Sequence, residues 1–204
     1  MPSKNILKVD LADSFYHVYA RGVSKQAVFQ DYEDFTFFLD LLKRYLSPEV
    51  ILNAVGTPYE KLNDSVELLA YCLMGNHFHL LLYQKQAGGM QRLMRGVMTS
   101  YVRYYNHAYG RTGPLFESRY KASRISNDGY LQHISRYIHL NPKDWRMYPY
   151  SSMQYYLGDT TPDWLQTDRV LELFDSRQQY VDFVADYEAA QRELETIKHE
   201  LADR

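Results

Sequence analysis

Two short apolar runs, Val66 to Met74 and His77 to Tyr83, meet at Gly75-Asn76, and they constrain the fold more than any other stretch. Their length and composition read as buried strands, and the Gly-Asn pair between them is a hairpin signal. Side chains two apart on a strand share a face. His77 and His79 therefore project side by side while Phe78 faces the other way. Two imidazoles on one rigid strand make half of a metal site. Removing two imidazoles from water without partners is costly, so the pair is either a satisfied core feature or a ligand pair, and the strand alone does not decide between them.

The remaining pattern extends the hairpin into a domain. Phe15 to Gly22 is aromatic and β-branched and reads as a first strand. Tyr32 to Leu46 carries Phe35, Phe38, Leu39, Leu42 and Leu46 at helical spacing and stops before Pro48. Gly88-Gly89 opens a second helix to about Tyr109, with Leu93, Val97, Tyr101 and Tyr104 on one side and Arg92, Arg95, Thr99 and Arg103 on another. Residues 111–126 read as a loop and fourth strand, and Asp128 as the cap of a third helix reaching Asn141 before Pro142. The order β-α-β-β-α-β plus a helix predicts an α+β fold, a ferredoxin-like antiparallel sheet with two helices on one face. Tyr148 to Ser152 reads as a tie-down over the core. Residues 176–202 read as a helix with Leu194, Ile197 and Leu201 on its late apolar stripe. The division expected is a domain over 1–158 and an acidic helical appendage over 159–204.

With 204 residues the chain is large enough for a substantial core. Its apolar runs are too short to span a bilayer, and no apolar stretch follows the first residues as a secretory signal requires. The single cysteine, Cys72, excludes an internal disulfide and suits a reducing cytosol, so a cytoplasmic location is expected. The net charge of −2 conceals a strong asymmetry. Residues 85–146 hold 11 Lys and Arg against 3 Asp and Glu, whereas 1–84 hold 7 against 10 and 147–204 hold 5 against 12. A basic middle between acidic flanks is a candidate footprint for phosphate, or a solvated face balanced elsewhere.

On the third helix Tyr137 and Asn141 are four apart and share a face, where an amide oxygen can complete a metal site beside a hydroxyl one turn away. Tyr130 is the rival tyrosine, but the residue four beyond it is Ile134, which cannot ligate. His133 and His139 are read as supporting or structural residues. The sequence resembles the HUH single-tyrosine transposases of bacterial insertion sequences, most closely the REP-associated tyrosine transposases. The resemblance rests on Tyr16-His17-Val18 with Arg21-Gly22 and on Met74 to Leu82 around the histidine pair. It continues through Gly113 to Phe116 with Arg119 to Lys121, Tyr130-Leu131, Arg136 to Pro142 and Pro149 to Ser152, over roughly residues 13–158. The family often has Pro at Gly75 and Gln at Glu117, and Lys143-Asp144-Trp145 departs from its usual continuation. The acidic tail has no counterpart in it.

The resemblance implies that His77, His79 and Asn141 hold a divalent cation, Mg²⁺ or Mn²⁺. It also implies that Tyr137 attacks single-stranded DNA beside a hairpin to give a 5′-phosphotyrosine and a free 3′-hydroxyl, a transposase reaction that needs no ATP. Consistent with that, the chain has no Walker-type loop. Arg92, Arg95, Arg103, Arg119 and Lys121 are the candidate DNA contacts, the last two expected on one strand face. A monomer or a homodimer fits. The alternative is a host-adapted protein that binds DNA or RNA hairpins without cutting. The aromatic signature of an RNA-recognition module is absent.

Overall fold

Strand alternation divides the molecule into two helical layers around one sheet. A computed structural model describes residues 10–186. Its strands are β1 (Ser14–Arg21), β2 (Val66–Met74), β3 (His77–Gln84) and β4 (Lys121–Ile125), in the order β2-β3-β1-β4 with every neighbouring pair antiparallel. Helices α1 (Tyr32–Leu46) and α2 (Gly89–Ala108) fall between them as the ferredoxin-like order requires. The turn between β2 and β3 is braced from outside, because the Val28 and Phe29 amides both donate to the Gly75 carbonyl.

One face of the sheet packs Tyr16, Val18, Phe78, Leu80 and Leu82 against Phe38, Leu42, Leu93, Val97 and Tyr101 of α1 and α2. The two helices cross closely at Gly96, where an added Cβ would lie 2.6 Å from the Tyr45 ring. The two helices expected on one face are thus α1 and α2, and the added helix lies on the other. The other face is covered by α3 (Asp128–His139) with the short helices α4 (Met153–Leu157), α5 (Asp168–Leu171) and α6 (Arg177–Ala185). The reason is apolar demand. Leu69, Cys72, Leu81 and Ile125 point to that side and are buried by Leu131, Ile134, Ile138, Tyr156, Val170, Tyr180 and Val184.

The tie-down forms as an edge pairing on β2. Leu73 N–H donates to the Tyr150 carbonyl at 2.9 Å and Ser152 N–H to the Tyr71 carbonyl at 2.9 Å. Two boundaries of α3 differ from expectation. Its N-cap is Asn127, whose side chain accepts from the Tyr130 amide, rather than Asp128, which is the first helical residue. The helix ends at His139, so Asn141 lies in the turn just beyond. The expected apolar stripe at Leu194, Ile197 and Leu201 lies outside the described residues. Among those residues no helix is long and apolar enough to cross a membrane.

Candidate active site

The site grows from the β1–β3 register. Tyr19 stands opposite His79 and Arg21 opposite His77. Alternation puts His17 on the same face as Tyr19, diagonal to His79, within reach of a long side chain. The His17 and His79 rings stack with centroids 5.0 Å apart, and the His77 ring meets His79 edge-on at 5.0 Å. Helix α3 crosses this face and lays Tyr137 against it, its ring edge-on to His79 at 5.3 Å and to His17 at 5.9 Å. Side chains from β1, β3 and α3 thus meet in one place, with His77 at its partly exposed edge. His17, His79 and Tyr137 are 1%, 5% and 6% exposed, so the phenol has little open path to solvent.

Hydrogen bonds fix which atom each side chain presents. Asn76 Nδ2 donates to the Lys25 carbonyl at 3.2 Å, which turns its Oδ1 toward His77 Nδ1 at 2.6 Å. An amide oxygen only accepts, so the His77 proton sits on Nδ1 and Nε2 keeps its lone pair. Asn141 Nδ2 donates to the Tyr137 carbonyl at 3.0 Å, closing the end of α3 where carbonyls lack helical partners. Its Oδ1 therefore faces His77 Nε2 at 3.4 Å. Two acceptors point at each other, the imidazole oriented by Asn76 Oδ1 and the amide by the Tyr137 carbonyl. That separation is close to the distance between two donors sharing one cation with bonds of about 2.1 Å. Two imidazoles and an amide oxygen therefore fit a divalent cation in the chemistry of their donors. Among the described residues no group of three His, Cys, Asp or Glu makes such a site.

Burial sets the protonation states. It pushes the His17 imidazolium pKa down to about 3. It also holds His79 well below its ordinary value, with repulsion from His17, His77 and Arg21 adding to the effect. His77 is lowered first by burial and also by Arg21, opposed by Asn141 Oδ1, which would accept from the imidazolium form. All three rings are neutral near pH 7, the state in which imidazole ligates. Burial raises the Tyr137 phenol, while Asn141 and the Arg21 charge pull it back.

The candidate cations are not brought together. Arg95, Arg103 and Arg119 line a groove of about 840 Å³ on the α2 side, floored by Met90, Met94, Met98, Val102 and Phe116. Arg92 lies apart from them, bonded to Glu60 at 3.1 Å and Ser65 at 2.9 Å. Lys121 is on the histidine face, its Nζ 5.9 Å from the Tyr19 ring. Arg119 and Lys121 do not share a strand face as expected, because β4 begins at Lys121 and alternation does not extend back to Arg119. Three residues at the site, His17, Arg21 and Asn76, lie in the motifs that carry the resemblance but were given no role from the sequence. Period-two alternation places His17 and Arg21 on one face, but the register that pairs them with His79 and His77 is a tertiary fact. His139, between Tyr137 and Asn141 in sequence, points into the helical layer, bonding Tyr180 Oη at 2.6 Å and Ser152 Oγ at 2.8 Å.

A His-hydrophobe-His strand facing a tyrosine and an asparagine at a helix end, on a ferredoxin-like sheet, is the arrangement that the sequence resemblance to single-tyrosine transposases implies. Residues 58–141 match the family described as Transposase IS200 like, a span that runs through β2, β3, α2, β4 and α3 to Asn141. It is similar in fold to the solved structure of a REP-associated tyrosine transposase bound to a REP hairpin. The TM-score is 0.55 at 14% identity, covering 85% of this chain and 96% of that one. A candidate transposase from Deinococcus radiodurans R1 is 19% identical over 68% of this chain and 95% of its own, with a TM-score of 0.39. No curated protein matches the chain.

Proposed function

We propose that this protein is a metal-dependent single-stranded DNA endonuclease and strand transferase in which Tyr137 is the nucleophile and His77, His79 and Asn141 are the metal ligands. The observation that carries the reading is the meeting of Tyr137 and Asn141 with the histidine pair across some sixty residues of sequence, the phenol ring at His79 and the amide oxygen at His77. A divalent cation, Mg²⁺ or Mn²⁺, would polarise the scissile phosphate and offset the charge that develops on it. Tyr137 Oη attacks the phosphorus and the bond to the 3′ oxygen breaks. The phenol loses its proton and the departing 3′ oxygen gains one, leaving a 5′-phosphotyrosine. One phosphodiester replaces another, so the free 3′-hydroxyl can reverse the step or a new end can complete transfer.

Arg21 lies where its charge favours the phenolate, and with Lys121 it is placed to receive phosphate near the nucleophile. The groove lined by Arg95, Arg103 and Arg119 is the larger basic surface, and its methionine floor suits the flat face of an unpaired base. The solved relative of similar fold was bound to a REP hairpin, which supports a hairpin-bearing strand as substrate here. One observation favours the alternative, a hairpin binder that does not cut: Tyr137 is buried and its phenol is held in the protonated form.

Incubation of end-labelled hairpin-bearing single-stranded DNA with protein and Mn²⁺ tests both readings. A covalent adduct that Tyr137→Phe abolishes supports the enzyme. Tight hairpin binding with no adduct under any divalent metal supports the binder. An adduct formed equally well by Tyr137→Phe removes Tyr137 as nucleophile.

A further inference from the structure

The His77–Asn76 contact has a counterpart one residue pair along the strand. His79 Nδ1 lies 2.8 Å from His17 Nε2, both rings buried. Two neutral imidazoles place one proton between those nitrogens, and the choice of owner decides what His79 presents on its other side. If His17 Nε2 donates, the single His79 proton sits on Nε2 and that atom has no lone pair for a ligand. If His79 Nδ1 donates, Nε2 is bare, as it is on His77. In both arrangements His17 Nδ1 is a buried atom without a hydrogen-bond partner. That atom is a bare lone pair in the first arrangement and an N–H in the second, so it does not favour the second, and what favours it is the lone pair it leaves on His79 Nε2 for a ligand.

We propose that His17 is a positioning residue that accepts the Nδ1 proton of His79 and thereby keeps His79 Nε2 free, as Asn76 does for His77. This rests on the metal-site reading above. It has a physical rationale of its own, because a ligating histidine is ordinarily oriented by a hydrogen bond from its other ring nitrogen. On β1 the strand fixes His17 at the diagonal position, and the Tyr19 ring, 5.1 Å from His17 and 5.9 Å from His79, packs beside both rings. The two anchors differ in kind. Asn76 is a hairpin-turn residue tied to the Lys25 carbonyl, whereas His17 belongs to a neighbouring strand, so the ligand pair is oriented from two separate elements.

The test uses ring ¹⁵N-histidine NMR of the metal-free full chain, followed by Mn²⁺ titration read by electron paramagnetic resonance. In the unsubstituted protein His77 and His79 are expected as Nδ1–H tautomers. His17→Phe retains an aromatic ring but no acceptor, and should mix the His79 tautomers while leaving His77 unchanged, with Mn²⁺ binding about 10- to 100-fold weaker. His17→Gln, whose amide oxygen can take the place of Nε2, should restore Mn²⁺ binding to within about threefold of the original even though it, unlike His17→Phe, has no ring to stack. A His79 found protonated on Nε2 in the unsubstituted protein overturns the proposal. So does a folded His17→Phe that binds Mn²⁺ as tightly as the original. If His77→Ala and His79→Ala bind Mn²⁺ normally, the metal-site reading fails instead, and the His79 tautomer in His17→Phe still decides for or against the role of His17.

Discussion

The same strands serve two faces with opposite chemistry. β1 sends Tyr16, Val18 and Ala20 toward α1 and α2 and sends His17, Tyr19 and Arg21 toward α3, while β3 separates Phe78 and Leu80 from His77 and His79. Toward α1 and α2 the contact is apolar and aromatic, with Phe78 packed on Phe38 at 5.0 Å and Phe116 at 5.8 Å. Toward α3, imidazoles occupy positions where leucine would pack without loss of solvation. Stability alone does not explain them. The comparison teaches that period-two alternation lets one strand hold a rigid core and a chemical site back to back, the first fixing the geometry of the second.

Phe78→Ala should give the largest effect on the core side. Removing a fully buried phenyl ring costs about 3–5 kcal/mol, read as a lower urea midpoint, while the fraction that remains folded keeps whatever adduct formation the unsubstituted protein shows. Loss of adduct at unchanged stability would break the division of labour between the faces. The next effect is acid sensitivity on the histidine face. The folded His17 pKa is about 3, against about 6.5 unfolded. Above pH 6.5 neither state binds the proton. As pH falls below that value only the unfolded chain takes it up, so stability declines by about 1.4 kcal/mol per unit for each such histidine until the folded pKa is reached. His139 titrates in the same direction for the same reason. Unfolding free energies at pH 7.5 and 5 should converge by about 2 kcal/mol in His17→Phe relative to the unsubstituted chain. An unchanged pH slope would mean that His17 is not buried neutral.

The sheet and the histidine pair were legible because both depend on short-range periodicity. Val66 to Met74 and His77 to Tyr83 signal strands by themselves, and the helix over Tyr32–Leu46 has its apolar spacing, its acidic first turn and its following Ser-Pro in plain sequence. What was missed depends on register or on small elements. His17 is one histidine on an aromatic strand, and nothing within ten residues of it marks a partner 62 positions away. In the second helical layer α3 and α6 fall within expected helices, whereas α4 and α5 did not show because they are five and four residues long, too short for a 3.6-residue period. The cap of α3 was displaced by one residue because Asn127 and Asp128 are both capable caps, and only the bond from the Tyr130 amide separates them. Arg119 and Lys121 were assigned a common face on an alternation that applies only inside the strand.

The basic side chains extend the comparison to the surface, with smaller effects. Arg95 and Arg103 share the groove on α2. Their joint replacement by alanine should weaken hairpin DNA binding about tenfold and lower the salt slope by about 2, one for each phosphate left without its arginine. Lys121→Ala, on the histidine face, should leave hairpin affinity closer to the original and reduce the adduct instead, if its place beside Tyr19 brings it to the strand being cut. Arg92→Ala should change least. That guanidinium already meets Glu60 and Ser65, its ion pair is exposed and contributes about 0–1 kcal/mol, and its charge is partly neutralised before any phosphate arrives. Affinity within about twofold of the original, measured at two salt concentrations, is the expected result. A loss equal to that of the Arg95 and Arg103 pair would mean that DNA displaces Glu60 and that the bound surface extends along α2 to its N-terminal turn.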